Sequence, residues 1–258
     1  MNFPGWPRTW SAEAVVRLLL GLFVIFATVQ LGWAAVENFG VAPPLADQKL
    51  VRMILGTVSF QLAALGLIAL FLREQRLTWS SAFGFKSPRL SRAIALGFLA
   101  GVLVVPAAWT LQHLSAEFVE WLQWTPQSQE VVRNFQESLT QSEKSAALLR
   151  QHIVFGISVI VIAPVAEEML FRGVIYTTFK QLGYPRLSLW GTSLVFAALH
   201  SNLPSFLPFL LLALLLVYLY EATDNLLAPI VTHSFFNTAN FVLMLYQEPI
   251  TRLIYGLP

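Results

Sequence analysis

Two carboxylates and a guanidinium interrupt an apolar run in the stretch IAPVAEEMLFRGV, residues 162–174. From Ile153 to Ala166 there is no Asp, Glu, Lys or Arg; then come Glu167, Glu168 and Arg172. Two later apolar stretches also carry polar groups: FAALH, residues 196–200, ends in His200, and HSFFN, residues 233–237, begins with His233 and ends in Asn237. On a helix, residues four apart share a face. Glu168 can therefore pair with Arg172, while Glu167 is turned about 100° away from Glu168. The same spacing aligns Phe196 with His200 and His233 with Asn237. A carboxylate beside an imidazole can hold a water and take its proton, which is general-base hydrolysis. A second imidazole and an amide can donate hydrogen bonds to the oxyanion of a tetrahedral intermediate. A base must stay ionised, and a nearby cation such as Arg172 opposes the protonation that burial favours. One Glu and two His are also a catalytic zinc ligand set. Glu167, His200 and His233 therefore form the alternative metal site, and the residues alone do not separate a bare water site from a metal site.

The elements that must carry these groups are membrane helices. Hydrophobic residues make up 56% of the 258-residue chain and charged residues 12%, with a mean hydropathy of +0.64. Soluble domains average about 25% charge. A formal net charge of +2 is too small to suggest nucleic acid. The chain has no cysteine, which excludes disulfides and thiolate metal sites. Runs of roughly spanning length, about 17–25 residues for a full crossing, fall at 18–36, 53–72, 93–116 and 153–175. The 187–220 stretch has no Asp, Glu, Lys or Arg and is broken by HSNLPSFLP. It reads as two short helices near 188–200 and 205–220. The last span is 226–246, entered through EATDNLLAP, whose Thr, Asp and Asn start helices well.

The expectation is an all-α polytopic bundle of about seven spans. Residues 1–150 supply three spans and a connector, 151–246 the chemistry-bearing core, and 247–258 a short tail. The first run is longer than a signal-peptide core and reads as a true span.

Loop charges suggest an orientation. The 73–92 loop holds Arg73, Arg76, Lys86, Arg89 and Arg92 against Glu74, and the 173–187 loop holds Lys180 and Arg186. Both belong in the cytoplasm by the positive-inside rule, which places the N-terminus inside. The 113–152 segment is acidic and has amphipathic stretches, so it reads as surface helices on the outer side. Arg17 lies near a helix end and can snorkel. Trp6, Trp10, Trp79, Trp121 and Trp124 read as interface anchors. In this topology Glu167, His200 and His233 can meet in one cavity inside the membrane and open to the cytoplasm.

EEMLFR, FAALH and HSFFN resemble, in the same order, the EExxxR, FxxxH and HxxxN motifs of the CPBP family of intramembrane proteases, the CAAX protease and bacteriocin-processing group. The likeness covers about residues 150–245. It implies that Glu167 activates the water, that His200 shares it, and that His233 and Asn237 stabilise the oxyanion, with Glu168 and Arg172 in support. Members of this family have been described as zinc and as glutamate proteases. The lack of a tight HExxH pair favours the metal-free reading here, with no cofactor required. The implied partner is a membrane-embedded or lipidated polypeptide in the bilayer, and the implied location a plasma or inner membrane. Two other classes share these residues. One is a proton-coupled transporter, since intramembrane Glu and His also build proton relays. The other is a catalytically silent scaffold or immunity protein. The sequence leaves the oligomeric state open.

Overall fold

The structure is a computed structural model, and it describes residues 10–41, 45–85, 90–123, 146–200 and 203–255. Every regular element among the described residues is helical. Helix α1 is Ala12–Asn38. Helix α2 comprises Leu45–Gly56 and Ala63–Glu74, joined by a π-helical turn at Thr57–Leu62. A short α3, Trp79–Phe83, precedes α4, Leu90–Trp121. Helix α5 is a long rod with two π-helical segments, Ser158–Ile162 and Met169–Tyr176, between Ala146–Ile157, Ala163–Glu168 and Thr177–Gln181. Helices α6 (Pro185–Leu199), α7 (Leu203–Thr223) and α8 (Leu227–Tyr255) complete the chain.

The seven apolar runs thus correspond to seven helical rods among the described residues, one of them, α6, short. Five contain segments long and apolar enough to cross a membrane: Ala12–Asn38, Leu50–Glu74, Leu90–Trp121, Leu148–Gln181 and Leu203–Thr223. The 15-residue α6 is about 22 Å long at 1.5 Å per residue, short of a core of about 30 Å. Helix α8 continues to Tyr255, past the end expected at 246. Of the predicted 113–152 connector, the first part extends α4 to Trp121 and the last part opens α5; residues 124–145 lie outside the described residues, as do Trp6 and Trp124. Large apolar side chains such as Phe23, Leu31, Leu103 and Tyr218 face outward at 63–71% exposure. In water that would be a liability; in a bilayer it is the required surface.

Small residues let the rods approach. In α4, Gly97 and Gly101 lie one turn apart against α8. A Cβ at Gly97 would come within 2.5 Å of the Ala228 carbonyl oxygen, and one at Gly101 within 2.9 Å of the Phe235 side chain. The Thr232 hydroxyl donates to the Gly97 carbonyl at 2.8 Å. This is small-xxx-small packing with a polar tie across it.

Close to the Ala228 contact, the α3 loop packs against α5 and the α7–α8 turn. Gly84 adopts φ +75°, and a Cβ there would stand 1.9 Å from the Asp224 carbonyl oxygen. The Leu226 amide donates to the Phe83 carbonyl at 2.9 Å. Phe83 is wholly buried and packs against Gly173 of α5, where a Cβ would meet its ring at 2.5 Å. Trp10 ties the start of the described chain to the same region. Its indole N–H donates to the Thr178 hydroxyl at 2.8 Å, and its ring meets Phe71 edge-on at 5.5 Å. Arg17 pairs with Glu13 and Glu74 at the α1–α2 end. These ties fix α2, α4, α5 and α8 relative to one another.

Candidate active site

Glu168 and Arg172 are both 0% exposed, which for two charged groups requires close pairing. Arg172 Nη1 donates to Glu168 Oε1 at 2.9 Å, the four-residue pairing expected from the sequence. Its Nη2 donates to the Ala213 carbonyl of α7 at 3.1 Å. The face of the guanidinium lies over the Phe196 ring, 4.4 Å from the centroid, a cation–π contact in dry surroundings.

The same Glu168 Oε1 accepts a second hydrogen bond, from His233 Nδ1 on α8 at 2.9 Å. A carboxylate can only accept, so Nδ1 carries the proton and Nε2 is turned away from Glu168. That Nε2 lies 3.9 Å from Glu167 Oε2, beyond a direct hydrogen bond and within the reach of one bridging water. The two glutamates are therefore in different surroundings. The Glu168 side chain is sealed at 0% exposure, while that of Glu167 keeps 16%.

His200 is held in a similar way. Its Nδ1 donates to the Phe196 carbonyl at 2.8 Å, so Nε2 again presents a lone pair. The ring stacks on Phe209 of α7, with centroids 3.8 Å apart and planes 21° from parallel. Phe196 is the hub of the arrangement. Its ring centroid is 4.9 Å from that of His200 and 5.7 Å from that of His233, and it meets Phe171 at 5.3 Å. Asn237, one turn along α8 from His233, donates its Nδ2 to the Val159 carbonyl at 2.8 Å. Val159 sits in the first π-helical segment of α5. A π-helix shifts hydrogen bonding to i→i+5, and such bulges are frequent at functional sites. One of the two Asn237 amide protons is thus engaged in aligning α8 with α5.

The six polar residues singled out in the sequence therefore fall on two helices, α5 and α8, and on the end of α6, around one centre. Glu167, Glu168, Arg172 and His233 are in direct or one-water reach. His200 joins them through the shared Phe196 ring, and Asn237 flanks them. The sequence motifs align Phe196 with His200 and give it no further role, and they do not point to Phe209, the Ala213 carbonyl or the π-helical segments. Phe196 lies inside a quoted motif, whereas an aromatic in the leucine-rich α7 carries no periodic signal. As for a metal, no group of three or more His, Asp or Glu among the described residues is arranged to hold one. The alternative set Glu167, His200 and His233 is thus not drawn in as a ready-made ligand cage.

Residues 149–239 match the family model described as Type II CAAX prenyl endopeptidase Rce1-like. Among curated proteins, the chain is similar to the uncharacterized protein YpbD of Bacillus subtilis (strain 168), at 37% identity over 105 residues. The alignment takes in 39% of this chain and 49% of that protein, so the chain spans about half the length of this curated relative. No solved structure matches. The family match contains all six polar residues of the site and excludes α1 to α4.

Proposed function

Taking residues 149–239 as a CAAX-protease-like intramembrane endopeptidase core, we propose that the protein hydrolyses a peptide bond of a membrane-embedded or lipidated polypeptide with a water held between Glu167 and the two histidines. Glu167 takes a proton from the water as its oxygen bonds to the scissile carbonyl carbon. The carbonyl oxygen becomes the oxyanion, which receives a hydrogen bond from the second amide proton of Asn237, and one from His233 only when its Nε2 also carries a proton. Glu167 then returns its proton to the amine as the C–N bond breaks, the ordinary reversal of a general base into a general acid. Arg172 and Glu168 touch none of the reacting atoms. Glu168 holds His233 in the Nδ1–H form, and Arg172 balances the charge of Glu168.

The observation that carries this reading is the 3.9 Å separation of Glu167 Oε2 and His233 Nε2, with the other face of the imidazole fixed by a buried carboxylate. The loop charges read from the sequence support a cytoplasmic N-terminus and a cytoplasmic Glu167 end of α5, and a plasma or inner membrane is the location that goes with this reading. A lipidated polypeptide anchored there could enter from the bilayer.

The test is cleavage of an apolar peptide library by the full chain reconstituted in lipid. Glu167→Gln should remove about 10²–10⁴-fold of the activity, the usual contribution of a general base. Undiminished cleavage by that variant, or no cleavage of any library member by the unmodified protein, would sink the proposal.

A further inference from the structure

Pro164 sits inside the apolar run of α5, in the turn that leads into Glu167. A proline has no backbone N–H, so a carbonyl upstream of it goes without its helical donor. Which carbonyl that is depends on the local register. In an α-helix the Val159 carbonyl would accept from Ala163, and in a π-helix from residue 164. Here α5 is π-helical at Ser158–Ile162, and the Ala163 amide donates to the Ser158 carbonyl. The next donor in that register would be Pro164, which has no proton to give. The Val159 carbonyl thus loses both of its helical donors, and Asn237 Nδ2 of α8 takes their place at 2.8 Å.

This bond lies between two other contacts of the same two rods. Towards the C-terminal end of α5, Glu168 accepts from His233 at 2.9 Å. Towards its N-terminal end, a Cβ at Gly156 would stand 3.2 Å from the Phe241 ring. Between them, Val159 decides how the Asn237 carboxamide is turned. A carbonyl can only accept, so it selects the amino end of the amide and engages one of its two protons. The second proton then stands at a fixed angle to the first. A donor held in place before charge develops costs no reorganisation when the oxyanion forms. An amide without that anchor is free to turn its own oxygen toward the same charge.

We propose that Pro164 is a positioning residue for the hydrolysis: by withholding an amide from α5, it makes the Val159 carbonyl the anchor that holds Asn237 as a donor. This rests on the protease reading above and on the oxyanion role given there to Asn237.

The test measures kcat and KM of the full chain in lipid vesicles with one fluorogenic apolar peptide, and the unfolding temperature in detergent. Pro164→Ala restores a backbone donor for Val159. It should lower kcat about 10²-fold, the scale of a lost oxyanion donor, and leave KM unmoved. Its unfolding temperature should not fall, because alanine is the better residue inside a helix. Asn237→Ala should lower kcat by about 10²–10³-fold, and adding Pro164→Ala to it should lower kcat no further. Unfolding reads the anchoring bond itself. Asn237→Ala should lower the unfolding temperature by about 2–4 °C in the otherwise unmodified chain, the value of one hydrogen bond, and should not move it in Pro164→Ala. Pro106→Ala, at an exposed proline inside α4, should leave kcat unchanged. The proposal is overturned if Pro164→Ala keeps full kcat, if its loss multiplies with that of Asn237→Ala, if kcat falls only together with the unfolding temperature, or if Pro106→Ala costs as much. In each of these cases the protease reading stands so long as Glu167→Gln abolishes cleavage. Cleavage that survives Glu167→Gln, or none by the unmodified protein, overturns both.

Discussion

His233 Nδ1 and Arg172 Nη1 converge on a single oxygen, Glu168 Oε1, each at 2.9 Å. One carboxylate oxygen thereby balances a buried guanidinium and fixes the tautomer of an imidazole on another helix. The second oxygen, Oε2, has no hydrogen-bond partner, and neither has Arg172 Nε. The pair is a hinge of charge between α5 and α8 rather than a saturated network.

Glu167 and Glu168, adjacent in sequence, should therefore separate in experiment. Glu168→Gln leaves Arg172 buried without a counter-charge, and breaking a buried pair costs about 3–5 kcal/mol. Glu167→Gln removes a partly exposed carboxylate 3.9 Å from its nearest imidazole nitrogen and should leave the fold as stable as before. Thermal unfolding in detergent, run beside the cleavage assay, reads both. The expected pattern is a lowered unfolding temperature for Glu168→Gln, and an unchanged one with lost activity for Glu167→Gln. Equal destabilisation by the two substitutions would show that both carboxylates are structural.

The helix-aligning contact of Asn237 and the oxyanion role proposed for it can be weighed against each other. Its Nδ2 donates to the Val159 carbonyl, a tie worth about 1 kcal/mol. If its other amide proton meets the oxyanion, removal should cost about 10²–10³-fold in kcat. Asn237→Ala should then lose far more activity than stability, with KM little changed. A loss of activity no larger than the loss of folded protein would restrict Asn237 to aligning the helices.

The parts of this arrangement legible in the sequence are those that follow from spacing and cost. Glu168 and Arg172 announce their pairing because two charges four residues apart in an apolar run have few other ways to persist. The end of α6 at Leu199 and that of α7 at Thr223 are legible from the Asn, Pro and Asp that follow them. The π-helical segments of α5 are not, because MLFRGVIY reads as ordinary helix and the register shift depends on its neighbours. Thr177 and Thr178 donate to the Arg172 and Val174 carbonyls, and Asn237 reaches Val159 from another helix. Phe196 was legible as apolar, but its place between two imidazoles and a guanidinium depends on how α5, α6 and α8 cross. The length of α6 was nearly right, though such a short rod meets the site with its end rather than its side, which places His200 at a helix terminus.

Metal dependence separates the two chemistries that the same three residues allow. With Glu167 3.9 Å from His233 and no three-ligand group among the described residues, cleavage should survive exhaustive chelation, and elemental analysis of active protein should show less than stoichiometric zinc. Loss of activity on chelation, restored by zinc alone, would assign Glu167, His200 and His233 to a metal and change Glu167 from base to ligand.

The contact between α4 and α8 gives a prediction that reaches the site from outside it. A Cβ at Gly97 would meet backbone, the Ala228 carbonyl oxygen at 2.5 Å and Ala228 Cα at 3.2 Å, so no side chain can rotate to make room. A Cβ at Gly173 would meet the flexible edge of Phe83 instead. Gly97→Ala must therefore push α8 away from α4, stretching the Thr232 to Gly97 hydrogen bond and moving His233, the next residue, relative to Glu168. Overpacking of this kind costs about 1–3 kcal/mol, and a shift of about 1 Å in a reacting group can cost about 10²-fold in rate. Gly97→Ala should thus cut kcat far more than it lowers the unfolding temperature, while Gly173→Ala combined with Phe83→Leu should retain most of its activity. Equal effects of the two on turnover would mean that the α4–α8 contact does not set the position of His233.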